Sequence, residues 1–320
     1  MKTLKILGSI VIIILILVAL FLIVSFINHK YQLRKEAKAY LPPGRMVEVN
    51  KKLMHVYAEG TGNMTLVFMA GHGTSSPTLD FKPLWVKMID DYRIVVIEKS
   101  GYGWSETSDS PRDIDTMLEE TRKVLDLSGE NGPYILFPHS MSGLEAIYWA
   151  QKYPDEVKAI IGLDPTTPGS IKVMPEPSKV QLYFLYLVAR TGLSRLIPES
   201  EIGDYLPLMK SDELLEEDKN QYLAVFYKST FTKDMLSEVI NLKRNAEIVA
   251  ETEVPFDTPM YFFISDVQEA SAIGWKDTLS DYLSEITVGK YIQLNTGHYV
   301  HHEKADIIAG EAIRFLEELE

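Results

Sequence analysis

The sequence predicts an α/β protein: a doubly wound, mostly parallel sheet interrupted by a helical cap and preceded by a transmembrane helix. Three observations carry this. Short, continuously apolar runs alternate with amphipathic helical stretches from residue 45 onward, as expected of strands buried on both faces of a parallel sheet. Residues 165–255 contain no convincing strand, and so long an interval is rarely an unstructured loop in a compact domain. Ile6–Ile27 is a run of 22 residues without a charge, enough to cross a bilayer core as a helix.

The N-terminal run reads ILGSIVIIILILVALFLIVSFI. It is longer than the apolar region of a secretory signal, and the exit Phe26-Ile27-Asn28-His29-Lys30 offers no small-x-small cleavage site. A single uncleaved anchor, one pass through a membrane, is the expectation. Lys2 and Lys5 flank it on one side, and Lys30, Arg34, Lys35 and Lys38 on the other. A plain count places the globular part in the cytoplasm. A short N-terminal flank carrying two lysines and a free amine is, however, often retained inside, so both orientations stay open. Residues 31–44 (YQLRKEAKAYLPPG) read as a juxtamembrane linker closed by Pro42-Pro43-Gly44.

Arg45–Asn50 and Leu53–Glu59 suggest a hairpin around Asn50-Lys51-Lys52. Strands are expected at Thr65–Met69, Arg93–Glu98, Tyr134–Phe137, Val157–Leu163, Met260–Ser265 and Tyr291–Leu294, and helices at Asp115–Leu127, Met141–Lys152 and Ala305–Leu319. Within the strandless interval, Ser211–Ser229 and Lys233–Ala250 are amphipathic. Val180–Ala189 is strongly apolar and aromatic but too short to span a bilayer. It could serve as cap core, as pocket lining or as a membrane-facing patch. The chain thus divides into an anchor (1–30), a linker (31–44), a core in two parts (45–164 and 256–320) and an inserted helical cap (165–255).

Composition narrows the function. The chain has no cysteine, which removes disulfides, thiolate metal sites and a cysteine nucleophile. Its net charge is −13, with residues 1–44 at +5 and the remainder at −18. So acidic a globular part is a poor partner for nucleic acid, whose binding rests on cations neutralising phosphates. No glycine-rich phosphate loop is present, and no cofactor is called for. His301 and His302 read as the start of the last helix rather than as metal ligands, because no carboxylate cluster accompanies them at ligand spacing.

The residues that carry chemistry sit at strand ends, where open α/β sheets hold their ligands. In Tyr134–Leu144 (YILFPHSMSGL) a buried strand runs straight into a helix with Ser140 at the turn. A nucleophile on so tight a turn needs small residues two positions away on either side. Those positions hold Pro138 and Ser142, so neither glycine of G-x-S-x-G is present. Ser142 is small, and Pro138 should sit where no ladder hydrogen bond is required. Taking Ser142 as nucleophile instead would crowd the turn with Leu144.

Pro138-His139-Ser140-Met141-Ser142-Gly143 resembles the Gly-His-Ser-Met-Gly-Gly elbow of many α/β-hydrolase-fold enzymes, agreeing at four of six positions. Three further segments agree in order. After the strand Thr65–Met69 comes Ala70-Gly71-His72-Gly73, where the resemblance implies an oxyanion-hole donor. Strand length favours Ala70-Gly71 as the family's turn, making the His72 N–H one donor and the Met141 N–H the other. Glu98-Lys99-Ser100-Gly101-Tyr102-Gly103-Trp104-Ser105 is similar to a structural turn of the family. Asn295-Thr296-Gly297-His298 matches its Gly-His turn before the closing helix, which implies His298 as general base.

A triad needs a carboxylate to hold the histidine tautomer. The family usually places it in a Gly-x-x-Asp turn after the penultimate strand, but that slot here holds Gln268, with Asp266 nearby and out of frame. Some members carry the acid after the strand following the nucleophile helix, and Asp164 fits that place without a shift. Asp164 is therefore the expected acid, with Asp266 the alternative. The implied function is a membrane-anchored serine hydrolase acting on an ester-type or lipid-like small molecule. The serine argues against fold-mates with an aspartate nucleophile, such as epoxide hydrolases and haloalkane dehalogenases. A peptidase, acyltransferase or lyase on the same scaffold, or a binding protein with a decayed triad, are the alternatives.

Overall fold

The structure is a computed structural model that describes residues 2–203, 205–210, 214–266 and 272–319. It opens with α1, Lys2–Ala39, exposed along its apolar stretch except at Leu22 and Ser25, which are half-buried. The expected linker is thus largely helix. Residues 31–39 are mostly good helix formers, and Pro42-Pro43-Gly44 stops the helix only a few residues before the sheet.

The hairpin β1 (Arg45–Val49) and β2 (Lys52–Glu59) turns at Asn50 and Lys51, both with positive φ (52° and 64°), as a turn matching strand twist requires. Then come β3 (Thr65–Met69), the short helices α2 (Pro77–Asp80) and α3 (Lys82–Trp85), β4 (Arg93–Glu98), α4 (Ile114–Ser128), β5 (Tyr134–Pro138), α5 (Ser142–Lys152) and β6 (Val157–Leu163). Asp113 caps α4, its side chain accepting the Thr116 N–H at 2.9 Å. The eight-stranded sheet has the order β1-β2-β4-β3-β5-β6-β7-β8, with β1 and β2 antiparallel to their neighbours and the rest parallel.

The sheet is buried on both faces, which explains why its strands read as continuous apolar runs. Along β3, Leu66 and Phe68 face one core while Val67 and Met69 face the other. The first core is closed by α3 and a C-terminal helix, the second by α4 and α5. Between β6 and β7 (Met260–Ser265) the described residues form no strand. They hold α6 (Lys179–Thr191), α7 (Glu199–Ile202), α8 (Glu216–Ser229) and α9 (Lys233–Glu251). Residues 211–213 of the expected Ser211–Ser229 helix lie outside the described residues. The chain finishes with α10 (Trp275–Ser284), β8 (Gly289–Leu294), α11 (Val300–Glu303) and α12 (Ala305–Glu317); α10 has no counterpart among the sequence expectations.

Strand order reverses at β3, which has β4 on one side and β5 on the other. The crevice beyond the carboxyl ends of β3 and β5 is where a ligand site is expected in such a sheet.

Candidate active site

Ser140 stands at that crevice, directly after β5 and just before α5, with φ 53°. This left-handed conformation is unfavourable for a serine, by about 1–3 kcal/mol, and surrounding bonds hold it. The Ser140 carbonyl accepts from the N–H groups of Gly143 (2.9 Å) and Thr166 (2.8 Å), and the Ser140 N–H donates to Leu163 O at 3.4 Å. Ser142 fills its position well: buried, it donates from Oγ to Met69 O at 2.6 Å and His139 O at 2.8 Å. Pro138 falls after the last paired residue of the β5–β6 ladder, Leu136, and pairing resumes only as an isolated bridge at His139. Gly71 is required by space, since a Cβ there would lie 2.6 Å from Ser140 Cβ.

The structure brings Ser140, His298 and Asp164 into one relay. His298 Nε2 lies 2.8 Å from Ser140 Oγ, and Nδ1 lies 2.6 Å from Asp164 Oδ2. The tautomer that satisfies both contacts has its proton on Nδ1, so that Nδ1–H donates to the carboxylate and Nε2 accepts from the serine hydroxyl. Asp164 is fully buried, at the end of β6, with φ 47°. Its Oδ1 accepts from the Ser265 N–H (3.0 Å) and Trp275 Nε1–H (2.9 Å), and its Oδ2 also accepts from Ser265 Oγ–H (2.7 Å). Four donors therefore saturate the carboxylate.

Asp266 points elsewhere, its Oδ1 accepting the Thr296 N–H at 3.0 Å. Both His298 nitrogens are taken by other groups, so Asp266 is not brought into the relay. Gln268 lies outside the described residues.

The backbone N–H groups of His72 and Met141 have no acceptor among the described residues. Both residues line a cavity of about 690 Å³ whose walls also include Ile171, Met174, Leu182 and Val239. Burial lowers the His72 imidazole to about 4, with nearby Glu238 opposing and Lys99 assisting that shift, so the ring is neutral near pH 7. The turn after β4 is structural, as expected. Glu98 at its head is fully buried, takes the Trp104 N–H at 2.7 Å and faces His55 Nδ1 at 2.9 Å.

Two features lay beyond the sequence reading. His139, inside the elbow itself, points Nε2 at His298 O (3.1 Å), so Nε2–H can donate there and hold the turn carrying the relay histidine. Burial, with His298 and His301 beside it, keeps the His139 ring well below the usual histidine range and hence neutral. Second, although the sequence shows no carboxylate cluster at ligand spacing to His301 and His302, the fold brings one carboxylate to them. Asp80 Oδ2 and Oδ1 meet their Nε2 atoms at 3.1 and 3.2 Å, and Tyr222 Oη donates to Asp80 Oδ1 at 2.8 Å. Asp80 is 221 residues from His301, so no spacing rule could pair them. Burial alone would raise Asp80, but the two imidazoles facing it outweigh that and hold it far below the carboxylate range. The three side chains offer one oxygen and two nitrogens within 4.8 Å of one another, a donor set of the kind that holds zinc. They also tie α2 to α11, just after His298.

The sequence model described as alpha/beta hydrolase fold matches residues 69–195. The uncharacterized protein YbdG of Bacillus subtilis (strain 168) is 36% identical over 310 residues, covering 94% of each chain. The 2-(acetamidomethylene)succinate hydrolase of Mesorhizobium japonicum is 25% identical over 120 residues, 38% of this chain and 42% of that one. Among solved structures, the epoxide hydrolase VrEH1 of Vigna radiata superposes with a TM-score of 0.67 at 22% identity, over 86% of this chain and 97% of its own.

Proposed function

The chain belongs to the α/β-hydrolase family, and from that premise we propose that it is a membrane-anchored serine hydrolase cleaving an ester-type or lipid-like substrate. The observation that carries the reading is the continuous relay from Ser140 Oγ through His298 to the saturated Asp164 carboxylate. Family members of the epoxide-hydrolase type carry an aspartate at the elbow, whereas this chain has Ser140 there. Support for the anchor is the length and apolarity of α1 and the absence of buried residues from its most apolar 18-residue stretch.

In this reading Ser140 Oγ attacks the ester carbonyl as its proton passes to His298 Nε2. Asp164 stabilises the imidazolium that forms. The N–H groups of His72 and Met141 receive the oxyanion, and one such donor is typically worth roughly 3–4 kcal/mol of transition-state stabilisation. Collapse of the tetrahedral intermediate expels the alcohol, which takes the proton from His298. Water then attacks the acyl-serine, giving its proton to His298, and the relay returns to its starting state as the carboxylic acid departs.

The test is labelling of the full-length protein by a fluorophosphonate, which reacts only with an activated serine. Wild type should label, Ser140→Ala should not, and Ser142→Ala should retain whatever labelling its fold permits. An unlabelled wild type, or labelling lost in Ser142→Ala yet kept in Ser140→Ala, would sink the assignment.

A further inference from the structure

α6 is neither ordinary cap core nor pocket lining alone. Val180, Tyr183, Phe184 and Leu187 are 80%, 56%, 61% and 49% exposed. Their spacing (i, i+3, i+4, i+7) makes one helical face. Leu182, on another side of the same helix, is buried and lines the cavity that reaches His72 and Met141. One helix therefore separates the candidate active-site cavity from an uncovered apolar stripe.

The structure also says what that stripe adjoins. α6 ends at Thr191, whose carbonyl accepts from Ser25 Oγ at 2.9 Å. Ser25 lies two residues inside the charge-free run that ends at Ile27, about 3 Å along a helix axis. The contact is close and built: Gly192 has φ +79°, and a Cβ there would fall 2.4 Å from His29 Cβ. Just beyond, Arg195 makes two 2.7 Å bonds to the Glu36 carboxylate and a third, from Nε, to His29 Nδ1 at 3.0 Å. Val24 and Ile27 on α1 are 65% and 62% exposed. The end of α6 is thus fixed at the level where the apolar part of α1 ends, and the medium that solvates Val24 and Ile27 reaches it.

We propose that the exposed stripe of α6 is seated in the interfacial layer of the lipid bilayer, as a second membrane contact beside α1. The proposal rests on reading α1 as a membrane span. A stripe of aliphatic and aromatic side chains suits that layer, where an apolar body meets acyl chains and the Tyr183 hydroxyl meets headgroups. It turns the insertion into the part of the enzyme that faces lipid, with the cavity directly behind it.

Because the natural chain has no cysteine, single spin labels report site by site. Full-length Phe184→Cys and Val180→Cys, with Ile14→Cys as span reference and Leu127→Cys as a distant exposed reference, are labelled in phosphatidylcholine/phosphatidylglycerol vesicles. Collision with oxygen and with a water-soluble nickel chelate is then measured by power saturation. The expected result is that Phe184 and Val180 labels gain oxygen collisions and lose nickel collisions, as Ile14 does, while Leu127 stays open to nickel. Nickel-accessible Phe184 and Val180 labels beside a protected Ile14 would overturn the proposal and leave the anchor standing. Labels shielded from both reagents would mean that protein, such as a second copy of the chain, covers the stripe, and would overturn it too. A nickel-accessible Ile14 would overturn the anchor reading and the proposal together.

Discussion

Replacing Asp164 by asparagine should abolish turnover by a route the hydrogen bonds specify. Oδ1 accepts two fixed N–H donors, the Ser265 backbone and the Trp275 indole, whereas Oδ2 accepts from the Ser265 hydroxyl and His298. An amide has one oxygen. If its NH2 faced the two N–H groups, buried donors would confront each other at a cost of about 1–3 kcal/mol each. The oxygen therefore turns toward them, and the NH2 toward His298 and the Ser265 hydroxyl, which can rotate to accept. His298 must then accept through Nδ1 and carry its proton on Nε2, where it can no longer receive the proton of Ser140. An analogous substitution in a serine protease triad costs about 10⁴ in kcat, equivalent to roughly 5 kcal/mol. The assay is kcat on a chromogenic ester, with fluorophosphonate labelling rate as a second readout and thermal melting as a control for lost packing. Asp266→Asn should be nearly silent, since an amide oxygen still accepts the Thr296 N–H. Near-normal turnover in a folded Asp164→Asn, with Asp266→Asn inactive, would refute the reasoning.

Gly71→Ala should push the added methyl against Ser140, costing about 1–3 kcal/mol of stability by overpacking and roughly a hundredfold in turnover through displacement of the nucleophile; melting and kcat measured together check it. Full-length protein should stay with membranes through carbonate extraction, and recovery in the soluble fraction would contradict the anchor. A pH effect follows from His301, whose ring is lowered from 6.5 to about 4, first by burial and then by His302. The unfolded chain binds more protons than the folded one between those values, so stability should rise from pH 4 to 6.5 and be lost again on acidification, by up to about 3 kcal/mol. His301→Gln should flatten that slope in melts of detergent-solubilised protein, and an unchanged slope would show that other groups set it.

What was legible in the sequence was whatever depends on neighbours along the chain. The strands Thr65–Met69, Arg93–Glu98, Val157–Leu163 and Met260–Ser265 stand at their expected boundaries, because burial on both faces writes each as an unbroken apolar run. The turn at Ser140 was legible because a buried strand runs straight into a helix there, and Asp164 only through the resemblance, since some family members carry the acid after the corresponding strand. Trp275 was not: it holds Asp164 from a helix whose amphipathic pattern is short and mixed, 111 residues away. Nor was Asp80 beneath His301 and His302, which only the folded sheet brings together. The stripe of α6 had three readings in sequence, since apolar residues look alike whether they face a core, a cavity or the outside.

The helix α1 does not end where its apolar stretch ends; it continues to Ala39, and Arg195 grips it at Glu36. A flexible fourteen-residue tether would have let the catalytic body wander about 20 Å from its mooring. Here the mooring is a continuous helix held against the body by the Arg195–Glu36 ion pair. With α1 in a bilayer, as proposed above, this contact would set the height of Ser140 above the lipid surface.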